Sequence, residues 1–482
     1  MGLTFEIQDK DIMGRCGKLR VNGRTLHTPA LLPVVNPNKL TIPVSDLAAM
    51  HVEGIITNAY ILIRSSFRDR AIGEGVHNLL SYDGIIMTDS GSYQLSLYGD
   101  IALSNEETIL FQQRIGSDIL VPLDIPTSPA ADRPQAEQEL GITLDRIREG
   151  RDLVGSGQLA APVQGGLFPD LREQAARAIS SLGFTYAPIG AVVPLMEGYR
   201  YRDLVSVVMA AKMGLSPSCC VHLFGAGHPA MFALAVAMGC DIFDSAAYAL
   251  YAEDGRYLTV HGSYRLQELT TLPCPCAVCR AYTPAELVQS DMRTALLARH
   301  NLAVTLAEMD RIRHAVREGT LWELVDERCR SHPRLLAGYR AFLEHGEMLE
   351  HSDRVSKRRF FYRGAESGRR SEVVRYRAMQ KRFHLSDTVL IMMDGKKRGG
   401  CSDVLLFRPP FGAYPPELGE TFPIGSTELP DWDTNLVREG LRGVRELIAA
   451  HPQTRFTLSC SSHWAGLVRE MLPGCEVLDD DC

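Results

Sequence analysis

Gly84-Ile-Ile-Met-Thr-Asp89 is a short, apolar and β-branched run that ends on an aspartate. Seven comparable runs occur elsewhere in the first half of the chain, and we predict that each is a buried parallel strand. The eight candidate strands begin at Pro29-Ala-Leu-Leu-Pro-Val-Val, Gly54-Ile-Ile-Thr, Gly84-Ile-Ile-Met, Asp118-Ile-Leu-Val-Pro-Leu, Ala161-Pro-Val-Gln, Tyr186-Ala-Pro-Ile-Gly-Ala-Val-Val, Cys220-Val-His-Leu-Phe and Asp241-Ile-Phe.

The segments between these runs are charged and amphipathic, as expected of helices that cover a sheet. They include Asn105 to Arg114, Gln135 to Leu153, Leu171 to Leu182, Tyr201 to Met213 and His228 to Met238. Strand and helix alternating eight times is typical of an α/β protein with a (β/α)8 TIM barrel. The pattern alone leaves a doubly wound parallel sheet open.

Polar residues or glycines follow five of the predicted strands. They are Asp89, Asp124, Gln164, Gly225 and Asp244. A single aspartate or glycine after a strand is commonly a turn residue or a helix N-cap. In a barrel, however, the carboxyl ends of all strands meet at one mouth. Five such positions together therefore predict a shared active site.

The length of the chain and the distribution of its apolar residues indicate which kind of protein it is. With 482 residues and 45% hydrophobic content, we expect more than one domain. The N-terminus lacks a basic segment leading into an apolar stretch. The longest apolar run, from Pro229 to Gly239, is shorter than the roughly 18 residues that span a bilayer. These features predict a cytoplasmic protein with no membrane partner.

A basic segment follows the predicted barrel. Between Arg354 and Arg382 there are eleven Lys or Arg residues against two acids, although the whole chain carries a net charge of -7. Aromatic residues interleave with these cations, a pattern that favours phosphate contacts with RNA. We therefore predict a catalytic barrel at 1–345, a basic RNA-contacting segment at 346–385 and a small α/β domain at 386–482. Strands near Val389 and Arg455 and a helix from Asn435 to Ala450 support the last.

The cysteines point to a metal rather than to disulfides. Three of the twelve lie in Cys274-Pro-Cys276-Ala-Val-Cys279. In a cytosolic protein this clustering favours metal binding.

Several longer motifs resemble one known family. Asp89-Ser-Gly-Ser-Tyr-Gln-Leu, Asp124-Ile-Pro-Thr, Val163-Gln-Gly-Gly, Phe243-Asp-Ser-Ala-Ala-Tyr-Ala-Leu-Tyr-Ala and the cysteine cluster with His300-Asn301 look like the archaeal tRNA-guanine transglycosylases. The resemblance runs from about residue 5 to residue 345. The bacterial branch typically reads Phe-Asp-Cys where this chain has Phe243-Asp-Ser, so the archaeal branch fits better.

The resemblance implies base exchange in tRNA during archaeosine biosynthesis. Guanine at position 15 of the D-arm is replaced by the free base 7-cyano-7-deazaguanine (preQ0). By similarity, Asp244 is the nucleophile that forms a covalent aspartyl-tRNA intermediate, and Asp89 is the general acid and base. Double displacement of this kind needs two carboxylates. The sequence leaves open which aspartate attacks.

The same resemblance implies how the base is held. Asp124 would accept hydrogen bonds from the N1-H and the amine of a purine, and Gln164, the Gly165 amide and the backbone near Ala191 would contact the opposite edge. Tyr93 is a candidate for stacking on the flipped base. We assign His222 and His228 to packing and to the start of a helix.

Cys274, Cys276, Cys279 and His300 offer three thiolates and an imidazole, a complete tetrahedral set for one structural zinc ion per chain. The family further suggests a homodimer. Archaeal members commonly continue into a PUA domain that binds tRNA, and we expect no such domain here, so a separate PUA-domain protein is a candidate partner.

Three other functions remain open. A non-catalytic tRNA-binding subunit of a transglycosylase-like complex would keep the zinc ligands and lose the aspartates. The related archaeosine synthase is disfavoured because the base-exchange residues are present. A metal-dependent barrel hydrolase would need a histidine-rich mouth.

Overall fold

The computed structural model describes residues 2–92, 103–155, 157–394 and 403–479. The chain forms two compact units, Met1–Phe342 and Leu343–Cys482. The proposed division of the second part at residue 386 stays a prediction. Within the described residues, no helix has both the length and the apolar character required to cross a bilayer.

The strands of the first unit are mostly short. They are β1 (Thr4–Asp11), β2 (Gly14–Val21), β3 (Arg24–Thr28), β4 (Ala30–Pro33), β5 (Gly54–Asn58), β6 (Ile85–Asp89), β7 (Ile119–Leu120), β8 (Tyr186–Ile189), β9 (Cys220–Leu223), β10 (Ile242–Ser245), β11 (Arg256–Leu258) and β12 (Ser263–Arg265).

The helices of the first unit separate these strands and then follow them. They are α1 (Val44–Ala49), α2 (Ala59–Arg64), α3 (Arg68–Glu74), α4 (Val76–Leu80), α5 (Asn105–Arg114), α6 (Arg133–Val154), α7 (Pro169–Ser181), α8 (Val193–Glu197), α9 (Tyr201–Gly214), α10 (Pro229–Ala237), α11 (Ala247–Glu253), a 3-10 turn (Leu266–Glu268), α12 (Ala277–Ala281), α13 (Pro284–Gln289), α14 (Arg293–Glu318), α15 (Leu321–Cys329) and α16 (Pro333–Phe342).

Two parallel sheets contain Asp89, at the end of β6, and Asp244, in β10. One has the order β4-β10-β9-β8 and the other β5-β6-β7. All the pairings within them are parallel. Isolated parallel bridges also join Val34 to Ile56, Leu120 to Leu159 and Val163 to Ile189. The predicted mixed α/β class with parallel strands is therefore confirmed.

Seven of the eight predicted strands are present as strands, at the positions expected from their apolar runs. The exception is Ala161-Pro-Val-Gln, which contributes only the single bridge from Val163 to Ile189. Pro162 lacks a backbone N-H and cannot donate to a neighbouring strand, which interrupts a regular ladder at this point.

The predicted helices are also found, with ends that differ by at most two residues. Local capping explains two of the starts. Ser104 and Glu107 form a capping box at α5, with distances of 3.1 and 2.7 Å. Asp132 accepts a hydrogen bond from the Gln135 amide at α6 (3.0 Å), so that helix begins earlier than predicted.

An N-terminal sheet was not anticipated from the sequence. β1, β2 and β3 form an antiparallel three-stranded sheet that precedes the parallel strands. Leu19 and Leu26 from this sheet lie in one buried cluster with Ile56 and Met87 of the parallel strands. The added sheet thus covers apolar surface that those strands would otherwise expose.

The second unit is a smaller α/β fold. Its strands and helices are α17 (Gly346–Ser352), β13 (Phe360–Phe361), α18 (Ser371–Met379), β14 (Thr388–Met392), β15 (Asp403–Arg408), β16 (Gly412–Tyr414), β17 (Thr427–Glu428), α19 (Thr434–Ala450), β18 (Arg455–Cys460), α20 (Ser462–Met471) and β19 (Glu476–Asp479), with 3-10 turns at Leu343–His345, Ala365–Arg369, Gln380–Arg382 and Pro416–Leu418. The main sheet has the order β16-β15-β14-β18-β19. The strands expected near Val389 and Arg455 and the helix expected from Asn435 are present.

The basic segment is more buried than its composition suggests. Lys357 and Arg370 are buried, and Lys357 forms an ion pair with Asp353 (2.9 Å). Lys357 also lies 3.6 Å from Glu372, and Arg370 lies 2.6 Å from the same carboxylate. These two cations neutralise buried acids and are not available for phosphate contacts. Exposed arginines of the segment, such as Arg359, remain candidates for RNA contact.

Candidate active site

Asp89, Asp124 and Asp244 lie close enough to influence one another. Burial, followed by the charges of Asp124 and Asp244, raises the pKa of Asp89 to about 7. Each aspartate lies at or just beyond the carboxyl end of a parallel strand, where the sequence predicted a shared site. The structure therefore brings these three carboxyl groups together.

Asp89 is oriented by the neighbouring strand. Asn58 ends β5 opposite Asp89, and its Nδ2 donates to Asp89 Oδ2 (3.0 Å). The Asn58 side chain is itself held in place, because its Oδ1 caps α2 by accepting from the Ile61 amide (3.0 Å). The Gly91 amide adds a weaker contact to the same Asp89 oxygen (3.3 Å). Asn58 thus fixes the carboxyl group without neutralising it.

Asp124 and Gln164 form a buried polar pair. Gln164 Nε2 lies 2.5 Å from Asp124 Oδ2. Burial raises the pKa of Asp124, while hydrogen bonds from Ser92 and Gln164 act in the opposite direction. Gln164 Oε1 is also buried, and no donor among the described residues reaches it. A buried acceptor without a donor costs free energy unless a ligand satisfies it.

Arg172 joins the loops on both sides of this pair. Its buried guanidinium donates to the carbonyl oxygens of Val163 (2.7 Å), Gly166 (2.9 Å) and Gly190 (2.9 Å). Burial lowers the pKa of Arg172 to about 10, so the group keeps its charge at neutral pH. At Gly190 a Cβ atom would lie 2.2 Å from Gln164 Nε2, so only glycine permits this packing. Sequence analysis identified neither Arg172 nor Gly190.

Gly165 and Ala191 lie in the two loops that Arg172 joins. Gly165 begins a turn that a hydrogen bond from the Phe168 amide closes (3.2 Å). Ala191 has a φ of 57°, which is uncommon for a residue with a side chain. Strained backbone of this kind is concentrated at functional sites. The predicted contacts of both residues with a base remain predictions.

Two hydrogen-bond donors hold the same oxygen of Asp244. His222 Nε2 lies 2.9 Å and the Gly225 amide 2.8 Å from Asp244 Oδ1. Behind the imidazole, the Tyr186 hydroxyl lies 2.9 Å from His222 Nδ1. If the tyrosine donates, Nε2 carries the imidazole proton and donates to the carboxylate. No hydrogen bond to Asp244 Oδ2 is found among the described residues, so this oxygen is left for a ligand.

The contact between His222 and Asp244 was missed because His222 was assigned to packing. A period-two pattern in Cys220-Val-His-Leu-Phe places His222 on the same face as Cys220, which lies in the buried cluster with Ile242 of the neighbouring strand. A histidine on that face, near the end of the strand beside Asp244, is the sequence feature from which the contact with Asp244 could have been predicted.

The proposed stacking residue Tyr93 lies outside the described residues. The structure therefore leaves its role as a prediction. The same holds for Gln94 and Leu95 in the motif that begins at Asp89.

The predicted metal ligands converge in a separate cluster. The ligand atoms of Cys274, Cys276, Cys279 and His300 all lie within 4.8 Å of one another. His300 Nδ1 lies 3.4 Å from Cys276 Sγ and 3.2 Å from Cys279 Sγ. Contact with Cys279 and then with His300 lowers the pKa of the Cys276 thiol well below its usual range. The cluster can hold a metal ion.

Supporting contacts around this cluster also fit a metal site. His300 Nε2 lies 3.0 Å from the Leu258 carbonyl oxygen, which would keep the proton there and leave Nδ1 free to coordinate. The Tyr257 ring stacks on the imidazole with centroids 3.7 Å apart. The Tyr257 hydroxyl lies 3.3 Å from Cys279 Sγ. These contacts fix the ring and its tautomer independently of the acidic site.

Comparison with known proteins identifies the family to which this chain belongs. The profile of the queuine tRNA-ribosyltransferase family matches residues 9–334. The chain therefore belongs to this family, and the predictions that it is a transglycosylase-type enzyme and that it resembles the archaeal branch are confirmed.

Individual relatives cover nearly the whole chain. A protein of Methanosarcina barkeri named tRNA-guanine(15) transglycosylase is 48% identical over 469 residues, which is 96% of this chain and 95% of the relative. A protein of the same name from Haloarcula marismortui is 48% identical over 98% of this chain and 97% of its own length. One from Archaeoglobus fulgidus is 44% identical over 98% of both chains.

Proposed function

We propose that this chain replaces guanine at position 15 of the tRNA D-arm with 7-cyano-7-deazaguanine. The observation that carries the proposal is the contrast between two neighbouring carboxyl groups. Asp244 has one oxygen held by two donors and the other open, and Asp89 has a pKa near 7. The names of the archaeal relatives support tRNA as the substrate and guanine 15 as the base that is replaced.

In the first step, Asp244 Oδ2 attacks C1′ of the target nucleotide. The bond from C1′ to the purine N9 breaks, and its electron pair leaves with guanine. Asp89 in its protonated form gives the leaving purine a proton. An ester between Asp244 and the ribose remains, with inverted configuration at C1′.

In the second step, the incoming 7-cyano-7-deazaguanine transfers its N9 proton to the Asp89 carboxylate. N9 then forms a bond with C1′, and the ester bond to Asp244 breaks, which restores both aspartates to their starting forms. Two inversions retain the β-linkage. A pKa near neutrality suits Asp89, because the group must both donate and accept a proton in one cycle.

The pair formed by Asp124 and Gln164 is proposed to hold the base. Asp124 accepts from N1-H and the exocyclic amine, which are both donors in guanine and in its deaza analogue. The Gln164 Oε1 and the backbone of Gly165 and Ala191 complete the contacts around the ring. The support for this role is the unsatisfied Gln164 oxygen, which N1-H or the amine of the base would satisfy on the edge that Asp124 also contacts, since the O6 edge offers only acceptors and is left to the backbone amides.

We further propose that the parallel strands close into a TIM barrel in which residues 159–163 occupy the place of one strand. The isolated bridges at Leu159 and Val163 support this, since they link β7 and β8 in the order that a closed barrel requires. An experimental structure in which residues 159–163 pair with neither neighbour would exclude it.

Cys274, Cys276, Cys279 and His300 are proposed to bind one zinc ion. A bound zinc would tie the segment before α12 to α14 and stabilise the fold there. We expect purified protein to contain about one zinc per chain and Cys276→Ser to lose both metal and thermal stability. The matched control is Cys475→Ser, which changes a thiol outside the cluster. Folded, metal-free protein with wild-type stability would contradict the assignment.

Exchange with labelled guanine tests the proposed function. Unmodified tRNA with guanine at position 15 should take up radiolabelled guanine, and unlabelled 7-cyano-7-deazaguanine should compete with it. Transcripts changed only at position 15 should take up none. Tight binding of tRNA without any exchange would instead support a non-catalytic tRNA-binding subunit.

A further inference from the structure

The C-terminus of α8 has an unusual residue at its critical turn. The Arg200 amide bonds to the Leu195 carbonyl oxygen (2.7 Å) and the Tyr199 amide to that of Met196 (3.1 Å). These two bonds define a Schellman motif in which the residue after the C-cap is left-handed. Tyr199 is that residue, with a φ of 53°.

A tyrosine at this position is costly for the backbone. Glycine is the usual residue in the left-handed position after a helix, because it has no Cβ to clash with the backbone. The same chain has glycine in this position after α14, where Gly319 has a φ of 72°, but His51 and Ser81 occupy it after α1 and α4 with φ values of 57° and 50°. Burial of the Tyr199 ring does not compensate, because the residue is 52% exposed. The backbone at Tyr199 thus resembles that at His51 and Ser81, and what distinguishes Tyr199 is its exposed aromatic ring.

The exposed ring is nevertheless held in a fixed orientation. Tyr199 stacks on His332 with ring centroids 4.8 Å apart and an angle of 22° between the planes. The edge of Tyr201 lies against Tyr199 at 6.2 Å and 82°. His332 is itself fixed, because its Nδ1 accepts from the Arg334 amide (3.1 Å). His332 covers one face of the Tyr199 ring, and about half of the residue remains exposed to solvent.

The position of Tyr199 relates it to the acidic site. It follows β8 and the Ala191 loop, on the same carboxyl side of the strands as Asp244. The Tyr199 ring is also near Tyr251, seven residues after Asp244, because burial and then the neighbouring Tyr199 hydroxyl raise the pKa of Tyr251. Tyr199 thus belongs to the connections that follow the carboxyl ends of the parallel strands, the end at which the proposed function places the target nucleotide.

We propose that Tyr199, backed by His332, is a stacking platform for an unpaired base of the substrate tRNA that flanks the exchanged nucleotide. The inference rests on the proposed function. A nucleotide can reach Asp244 only if the RNA around it is unpaired, and exposed bases are typically stacked on aromatic side chains. Such stacking tolerates any base, so the platform contributes affinity rather than sequence choice.

Substitution by glycine separates stacking from folding. Tyr199→Gly places the preferred residue in the left-handed position, so we expect a melting temperature close to that of the wild type. Loss of the ring should weaken tRNA binding by roughly 5- to 150-fold, the range found for removing one base stack. Tyr199→Phe retains the ring and should bind as the wild type does. Tyr264→Ala is the control, since Tyr264 is 51% exposed in β12, outside the stack.

The readout is the tRNA dissociation constant from filter binding, together with exchange kinetics. We expect KM for tRNA to rise in Tyr199→Gly while kcat at saturating tRNA stays near wild type. Unchanged affinity in Tyr199→Gly, equal losses in Tyr199→Phe and Tyr199→Gly, or a parallel fall in melting temperature would each overturn the platform. Wild-type protein that binds no tRNA would contradict the proposed function itself, which keeps the two failures distinct.

Discussion

Two clusters of buried carboxyl groups, one in each unit, differ in how their charge is balanced. In the second unit, Glu372 is surrounded by Arg370 and Lys357, and although burial acts to raise its pKa, these cations lower it overall. In the first unit, burial raises the pKa of both Asp89 and Asp124. Asp89 and Asp124 of the first unit therefore resist ionisation, whereas Glu372 of the second unit is stabilised in its ionised form.

This difference separates a structural use of buried charge from a chemical one. A buried carboxylate surrounded by cations holds neighbouring segments together, but it is a poor proton donor at neutral pH. A buried carboxyl group whose pKa is raised by burial and by other carboxylates, such as Asp89, is unfavourable for folding when ionised, yet a pKa near 7 lets it exchange protons with a substrate. The contrast supports the proposal that the chemistry takes place in the first unit.

The largest effect is expected at Asp244. Asp244→Asn should reduce guanine exchange by about 10⁴-fold or more, because removal of a nucleophile eliminates the covalent step. Binding of tRNA should remain. The change is measured by steady-state exchange, with Asp254→Asn as a control on an exposed carboxylate. Retention of more than a few per cent of the rate would remove Asp244 from the mechanism.

The next largest effect is expected on stability in the second unit. Lys357→Met leaves buried Asp353 and Glu372 with one cation fewer, which should cost ~3–5 kcal/mol. Because the pKa of Glu372 is lowered, its contribution is present above its ordinary value of 4.5 and is lost as the pH falls. Urea unfolding measures the loss, and Lys381→Met is the exposed control. Equal stability of both variants would show that the ion pairs are dispensable.

Asp89 should show the opposite dependence on pH. Its folded pKa of about 7 exceeds its ordinary value of 3.8, so the folded state loses stability as the pH rises from about 4 to about 7, and the full penalty is present above pH 7. The penalty should disappear as the pH falls toward 4. Each pKa unit corresponds to ~1.4 kcal/mol, and partial solvation reduces the total, so Asp89→Asn should gain about 2 kcal/mol at pH 8. A gain of the same size at pH 4 would contradict this origin.

The smallest effect per residue is expected for the exposed arginines of the second unit. Reversing the charge of Arg358, Arg359 and Arg369 should weaken binding of all tRNAs alike and reduce the slope of log affinity against log salt by roughly one unit per lost contact. Lys357 is left unchanged because it is buried. Reversal of Arg148, on α6, is the control. An unchanged slope would mean that these arginines face solvent and do not contact the phosphates of tRNA.

The sequence predicted those features that depend on local pattern. Asp89, Asp124 and Asp244 follow short apolar runs, and that local order indicates strand ends wherever it occurs. The close spacing of Cys274, Cys276 and Cys279 is local in the same sense, and His300 was placed by resemblance.

The features that the sequence did not predict depend on contacts between distant segments. Asn58 is 31 residues from Asp89, and His222 is 22 residues from Asp244. Arg172 was read as part of an amphipathic helix, although its guanidinium is directed into the loop that carries Gly190. The burial of Lys357 depends on Glu372, so composition alone presented it as surface charge.

The covalent intermediate tests the central claim most directly. Wild-type protein, incubated with tRNA and denatured before the incoming base is added, should yield a tRNA-linked species. After digestion with nuclease and protease, mass spectrometry should find the residual nucleotide on the peptide that contains Asp244. A nucleotide on Asp89, or no linked species while exchange proceeds at the normal rate, would contradict the assignment of the attacking oxygen to Asp244.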